Sequence, residues 1–216
     1  MKPFWDVEEN EGFILIKSDI DSLEYKVYNT GTPEEKQAVA NSLANVRRDL
    51  NKLLFYLCRH PEEWINKKIA LGIFLTLDLH IPCINNSIDK ILNATNDNKL
   101  SNEINMECLR IGKLFNIQEM TPNEYGILGL NKPKATKNIT INDSIEYEIA
   151  TRRSFHLTIR SSKGVVDDYL TKTLPLAVHE ITHTTCNDNH WKEDNHQYPF
   201  HNYHSFFKKI IENNIK

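Results

Sequence analysis

Residues 155–183 read FHLTIRSSKGVVDDYLTKTLPLAVHEITH, and the sense of this stretch decides the fold. Phe155, Leu157 and Ile159 alternate with His156, Thr158 and Arg160, the two-residue period of a half-buried strand. Ser161-Ser162-Lys163-Gly164 is turn chemistry and closes that strand. From Asp168 the period changes, and Leu170, Leu174, Val178 and Ile181 recur at the spacing of one helix face. A strand followed at once by an amphipathic helix predicts mixed α and β structure. On that helix stands His179-Glu180-Ile181-Thr182-His183. Histidines four apart project from one face, so each can offer an imidazole nitrogen to a single zinc ion. The glutamate between them lies beside the metal, where it can accept a proton from the attacking water.

Two histidines do not complete a catalytic zinc site. A third protein ligand is needed, with the fourth position left to water. Six of the nine histidines fall between residues 179 and 204, and the downstream candidates are His190, His196, His201, His204, Glu193 and Glu212. His196 lies so far past His183 that a continuous helix would separate them by about 20 Å. The helix must therefore stop and the chain fold back, and Asn187-Asp188-Asn189 suits such a stop. His196 is the preferred third ligand, with His190 and a downstream carboxylate as competitors. Cys186, one turn beyond His183, could face a structural metal, although a buried inert thiol is its more ordinary role. His201 and His204 share a face of a last helix expected over about residues 203–213, where a solvated or packed pair is the plain reading. Tyr198 and Tyr203 are candidates for stabilising an oxyanion, against simple aromatic packing. Asp188 or Asp194 could orient a ligand histidine.

His179-Glu180-x-x-His183, continued by Trp191-x-x-Asp194-x-His196-x-x-x-Phe200, resembles the SprT-like and WLM-type zinc metallopeptidases. The gap before the third histidine is similar to the SprT-like arrangement. The strand, glycine turn and helix are similar to the segment before the motif in WLM-like proteins of large DNA viruses. The likeness covers roughly residues 139–212 and departs at Gln197, where a glycine commonly follows the third histidine. It implies His179, His183 and His196 as ligands of one zinc ion, Glu180 as general base, and a strand beside the cleft that pairs with an extended peptide. It also implies a protein or peptide substrate, with proteins attached to DNA as the associated class.

The rest of the chain supplies the frame. Thr32-Pro33-Glu34-Glu35 is a helix start with a capping box, and Val39, Leu43, Val46, Leu50, Leu53 and Leu57 continue it with one buried face. Further helices are expected from Pro61 toward Leu79, over 84–92 and over 104–115. β-leaning alternation is expected at 139–141 and 145–149. The expected architecture is α+β, a small sheet packed on the HExxH helix. A mainly helical region covers 1–130, and a metallopeptidase-like core covers 131–216, the two forming one compact unit.

The chain has 216 residues, 40% of them hydrophobic, enough for a substantial core. Its 26 basic and 29 acidic residues give a net charge of −3, which excludes a disordered tail and a strongly basic nucleic-acid binder. DNA binding is accordingly expected to be weak and to come from a local patch; a loop at Lys132-Pro133-Lys134-x-x-Lys137 could touch phosphate, although a solvated loop is its plain reading. Four scattered cysteines with no CxxC pair exclude a zinc knuckle and a disulfide scaffold. No signal peptide or membrane-length apolar run is visible. A soluble intracellular protein is expected, cytoplasmic or nuclear, or in a host cell or virion if viral. The alternative to a peptidase is a non-catalytic zinc-stabilised module that binds protein or nucleic acid.

Overall fold

The computed structural model describes residues 12–60, 63, 115–121, 126–141, 145–183 and 198–214. Within them the chain forms β1 (Phe13–Lys17), β2 (Glu24–Tyr28), α1 (Pro33–Arg59), β3 (Phe115–Glu119), β4 (Gly129–Ile141), β5 (Ile145–Leu157), α2 (Leu174–Thr182) and α3 (Tyr198–Asn214). The five strands make one mixed sheet in the order β1-β2-β3-β5-β4. Both outer pairs are antiparallel, whereas β3 runs parallel to its neighbours β2 and β5. This is an α+β fold, as expected.

Side-chain alternation decides which face of the sheet is covered. Tyr25 and Val27 are buried while Glu24 and Lys26 are exposed, and Phe155 and Leu157 join them in the core. Helix α1 lies against β1, β2 and β3, and α2 lies against β4 and β5. Helix α3 packs on α1 and α2 through Phe207, Ile210 and Ile211. The apolar positions expected to face inward on α1, from Val39 to Leu57, are all buried. Its start is as the sequence indicates. The Thr32 hydroxyl accepts the Glu35 amide hydrogen, and the Glu35 carboxylate accepts that of Thr32 at 2.8 Å.

Three features depart from the expectations. Residues 13–17, 24–28 and 115–119 are strands that no pattern in the sequence marked, lying beside the long helix α1. These strands share one sheet with β4 and β5, so both parts of the chain feed one core. Lys132 to Lys137 is not a loop but part of β4, with register shifts on either side of Ala135. The strand expected through Arg160 ends at Leu157, and Arg160 only bridges to Val166. The turn that follows is as read: the Gly164 amide donates to the Ser161 carbonyl at 2.9 Å, with Gly164 at φ 82°. Of the helices expected from Pro61 toward Leu79, over 84–92 and over 104–115, residues 64–92 and 104–114 lie outside the described residues, and Phe115 opens β3 instead of ending a helix.

A buried ion pair fastens the ends of the central strands. Arg160 and Glu119 are 1% and 0% exposed, and the guanidinium donates to both carboxylate oxygens at 2.7 and 2.9 Å. Arg160 also reaches the Thr30 carbonyl at 2.9 Å, while Glu119 accepts the Tyr28 amide hydrogen at 2.8 Å. With its lone pairs and protons occupied, the pair is of the hydrogen-bonded kind that burial tolerates.

Candidate metal centre

The helix that carries the motif is entered through a π-helical turn, Tyr169–Thr173. Asp168 caps that turn, accepting from the Thr171 amide at 2.9 Å and its hydroxyl at 2.7 Å; the hydroxyl bond foremost holds this carboxyl below its usual range. The Tyr169 hydroxyl donates to Asp49 on α1 at 2.8 Å, which anchors the turn to the core. Pro175 then suits the first turn of α2, and Leu174, Ala177, Val178 and Ile181 bury one face. His179 and His183 are half-buried beside that face, while Glu180 is only 4% exposed.

The two imidazoles meet edge to face, with ring centroids 5.1 Å apart and planes at 77°. Two histidines bound to one tetrahedral zinc at ordinary Zn–N distances would place their ring centres about 5 Å apart. The pair therefore fits two ligands of one ion. Phe200, at the start of α3 and 3% exposed, lies against both rings, at 4.9 Å from His179 and 4.6 Å from His183.

Glu180 is held differently. Its carbonyl accepts a hydrogen bond from the Asn131 side-chain amide at 2.5 Å, which ties α2 to β4. Its carboxyl packs against the backbone of Gly129 on the same strand. Burial alone pushes the carboxyl pKa up from 4.5 to about 8. A cation placed between the two imidazoles would reverse that by favouring the charged form.

The Thr158 amide donates to the Leu128 carbonyl at 2.8 Å. By the alternation of an antiparallel ladder, the peptide groups of Gly129 then point away from β5, toward the outer edge of the sheet. A peptide laid along that edge would pass beside the Glu180 carboxyl. Ile127 and Leu128, 40% and 52% exposed, stand at the same end of the strand.

Of the residues singled out from sequence, His179, Glu180 and His183 are brought together. His190, Glu193, His196, Cys186, Asp188 and Asp194 lie outside the described residues. Tyr203 is half-buried and packs against the core, and His201 and Glu212 are exposed. His204 is half-buried and packed, one of the two outcomes expected for it. Its ring lies 5.9 Å from that of His179 and stacks on Phe200 at 6.0 Å with an interplanar angle of 11°. Its position four residues after Phe200 carried that signal. Among the described residues, no group of three or more His, Cys, Asp or Glu side chains is arranged to hold a metal ion. Gly129 and Asn131 were also missed, because their role depends on a strand-to-helix contact far apart in sequence.

No family model, curated protein or solved structure matches this chain. The functional reading therefore stands on the site itself.

Proposed function

We propose that the protein is a zinc-dependent metallopeptidase of the SprT-like or WLM type. One observation carries this reading. Two imidazoles stand 5.1 Å apart on a helix face, and the residue between them is a buried glutamate facing the edge strand. His179 and His183 would hold the ion, with His196 as the proposed third ligand. Bound zinc would supply the Lewis acidity that polarises a carbonyl and acidifies water. Glu180 accepts the proton from the attacking water and returns it to the leaving amine. The outer edge of β4 holds the substrate main chain extended, and Phe200 packs against the ligand rings. Proteins bound to DNA are the proposed substrate class, with DNA itself held weakly.

The test is zinc content of the untagged protein by elemental analysis, beside His183→Ala prepared identically. One zinc per chain, lost in the variant, is expected. No metal in either after zinc is offered would end this reading. Given zinc, Glu180→Gln is expected to keep the metal and lose at least a hundredfold in cleavage; retained cleavage would refute the role of Glu180.

The alternative is a closed, non-catalytic zinc site in a protein- or nucleic-acid-binding module, in which a fourth protein ligand takes the place of water. The spectrum of a cobalt-substituted sample separates the two. Four protein ligands favour the module, and an exchangeable fourth position favours the peptidase.

A further inference from the structure

We infer that Gly129 is a positioning residue for Glu180: the missing side chain at the head of β4 is what gives the glutamate carboxyl its place at the sheet edge. Gly12, Gly31, Gly126 and Gly164 have φ values of 74°, 85°, 71° and 82°, conformations that call for glycine. Gly129 is not among them and lies in ordinary strand backbone, where any residue could serve. Glycine in a strand interior weakens it, and is expected where something approaches the backbone closely. Here that something is Glu180. A Cβ at position 129 would overlap the glutamate Oε1, and would come within 2.9 Å of both Glu180 Cδ and Leu176 Cδ1.

The two contacts differ in what they can yield. Leu176 Cδ1 is the free end of a flexible, half-buried side chain and can turn aside. Glu180, 4% exposed, has less open space to move into. Two residues along the same face of β4, Asn131 is 2% exposed and grips the Glu180 carbonyl at 2.5 Å. The backbone of Glu180 is thus fixed to β4, so a displaced carboxyl must swing away about its own side-chain bonds. Asn131 sets how near the helix comes to the strand, and Gly129 sets where the carboxyl lies once it is there. The same glycine turns its peptide groups toward the outer edge, so the proton acceptor and the surface for the substrate main chain are joined through one residue.

The inference rests on Glu180 as the proton acceptor, but its first test does not need activity. Thermal midpoints of the metal-free full-length chain would be measured for the wild type, Gly129→Ala, Glu180→Ala and the double variant. Overpacking by the new methyl is expected to lower the midpoint by roughly 4 to 8 °C in the wild-type background. In the Glu180→Ala background the same methyl should cost less than half as much. If Gly129→Ala does not fold alone but folds with Glu180→Ala, the conclusion is the same. Equal losses in both backgrounds, failure of both to fold, or no loss in either would overturn the inference.

The second readout uses zinc-loaded protein and fluorescent denatured casein. Gly129→Ala should keep its zinc and its KM within about twofold, while kcat falls by tenfold or more. A fall in zinc content or a rise in KM alone would count against positioning. If the wild type cleaves no casein, the peptidase reading is in question, and the stability cycle still decides the role of Gly129.

Discussion

Glu180 shows how much one side chain can reveal about the state of its site. Its carboxyl pKa stands at about 8 in the folded, metal-free protein because burial disfavours the charge. Below about pH 4.5 the group is neutral in both folded and unfolded chains, and it contributes nothing to the pH dependence. As pH rises toward 8 the unfolded chain releases its proton while the folded one keeps it. Stability of the metal-free protein is therefore lost across that interval, by a few kcal/mol at most. Metal-free Glu180→Gln should show a flatter profile and a higher urea midpoint at pH 8 than the wild type. Equal slopes for the two would show that the carboxyl is not buried. Arg160 makes a contrasting residue-scale prediction. Arg160→Ala strands Glu119 at 0% exposure and should cost about 3–5 kcal/mol in denaturant unfolding, whereas Arg160→Met with Glu119→Leu should cost much less.

At the scale of elements, what was legible followed local chemistry. The capping box at Thr32 needs only four residues in sequence, and it is present as read. Thr32→Ala should accordingly remove about 1 kcal/mol, lowering the thermal midpoint by roughly 2–4 °C without altering the motif. Helix α2 was visible from its period, and the turn before it from Gly164. β1 was not, because Phe13-Ile14-Leu15-Ile16 has no polar alternation and its burial is uneven along the strand. Leu15, 62% exposed, lies on an outer strand of the sheet, where the pattern is weakest. The basic run at 132–137 was read as a loop because Pro133 and three lysines look like turn chemistry. In β4 the same residues sit on an outer strand beside a register shift, where proline and lysine are tolerated.

For the whole molecule, the sequence indicated α+β but not which strands are neighbours. β2 and β3 adjoin in the sheet with all of α1 and residues 60–114 between them in the chain, and no local pattern encodes such a pairing. The site was half legible for the same reason: the helix periodicity marked His179, Glu180 and His183, but Gly129, Asn131 and His204 reach them only through tertiary contacts. Binding of zinc to the folded form alone would stabilise the whole molecule. Zinc at a hundredfold above its dissociation constant should add about 2.7 kcal/mol, read as a rise in thermal midpoint that a chelator reverses. No rise in the wild type would mean that the folded form binds no zinc, and the same rise in His183→Ala would place the ion elsewhere. With a net charge of −3, any binding to duplex DNA should be weak and fall as salt is raised, which a titration at two salt concentrations would check.

The clamp at Arg160 also bears on how the protein is made. It joins Tyr28 to Glu119 across 91 residues of chain, and Arg160 to Tyr28 across 132. At ordinary rates of synthesis, a ribosome that has released β2 works for roughly ten seconds or more before Arg160 follows. Until β3 emerges the inner edge of the nascent β1–β2 hairpin is unpaired, and the clamp that fixes it to β3 is complete only with Arg160. The newborn chain is then at its most vulnerable to the wrong neighbour, before His179 and His183 exist.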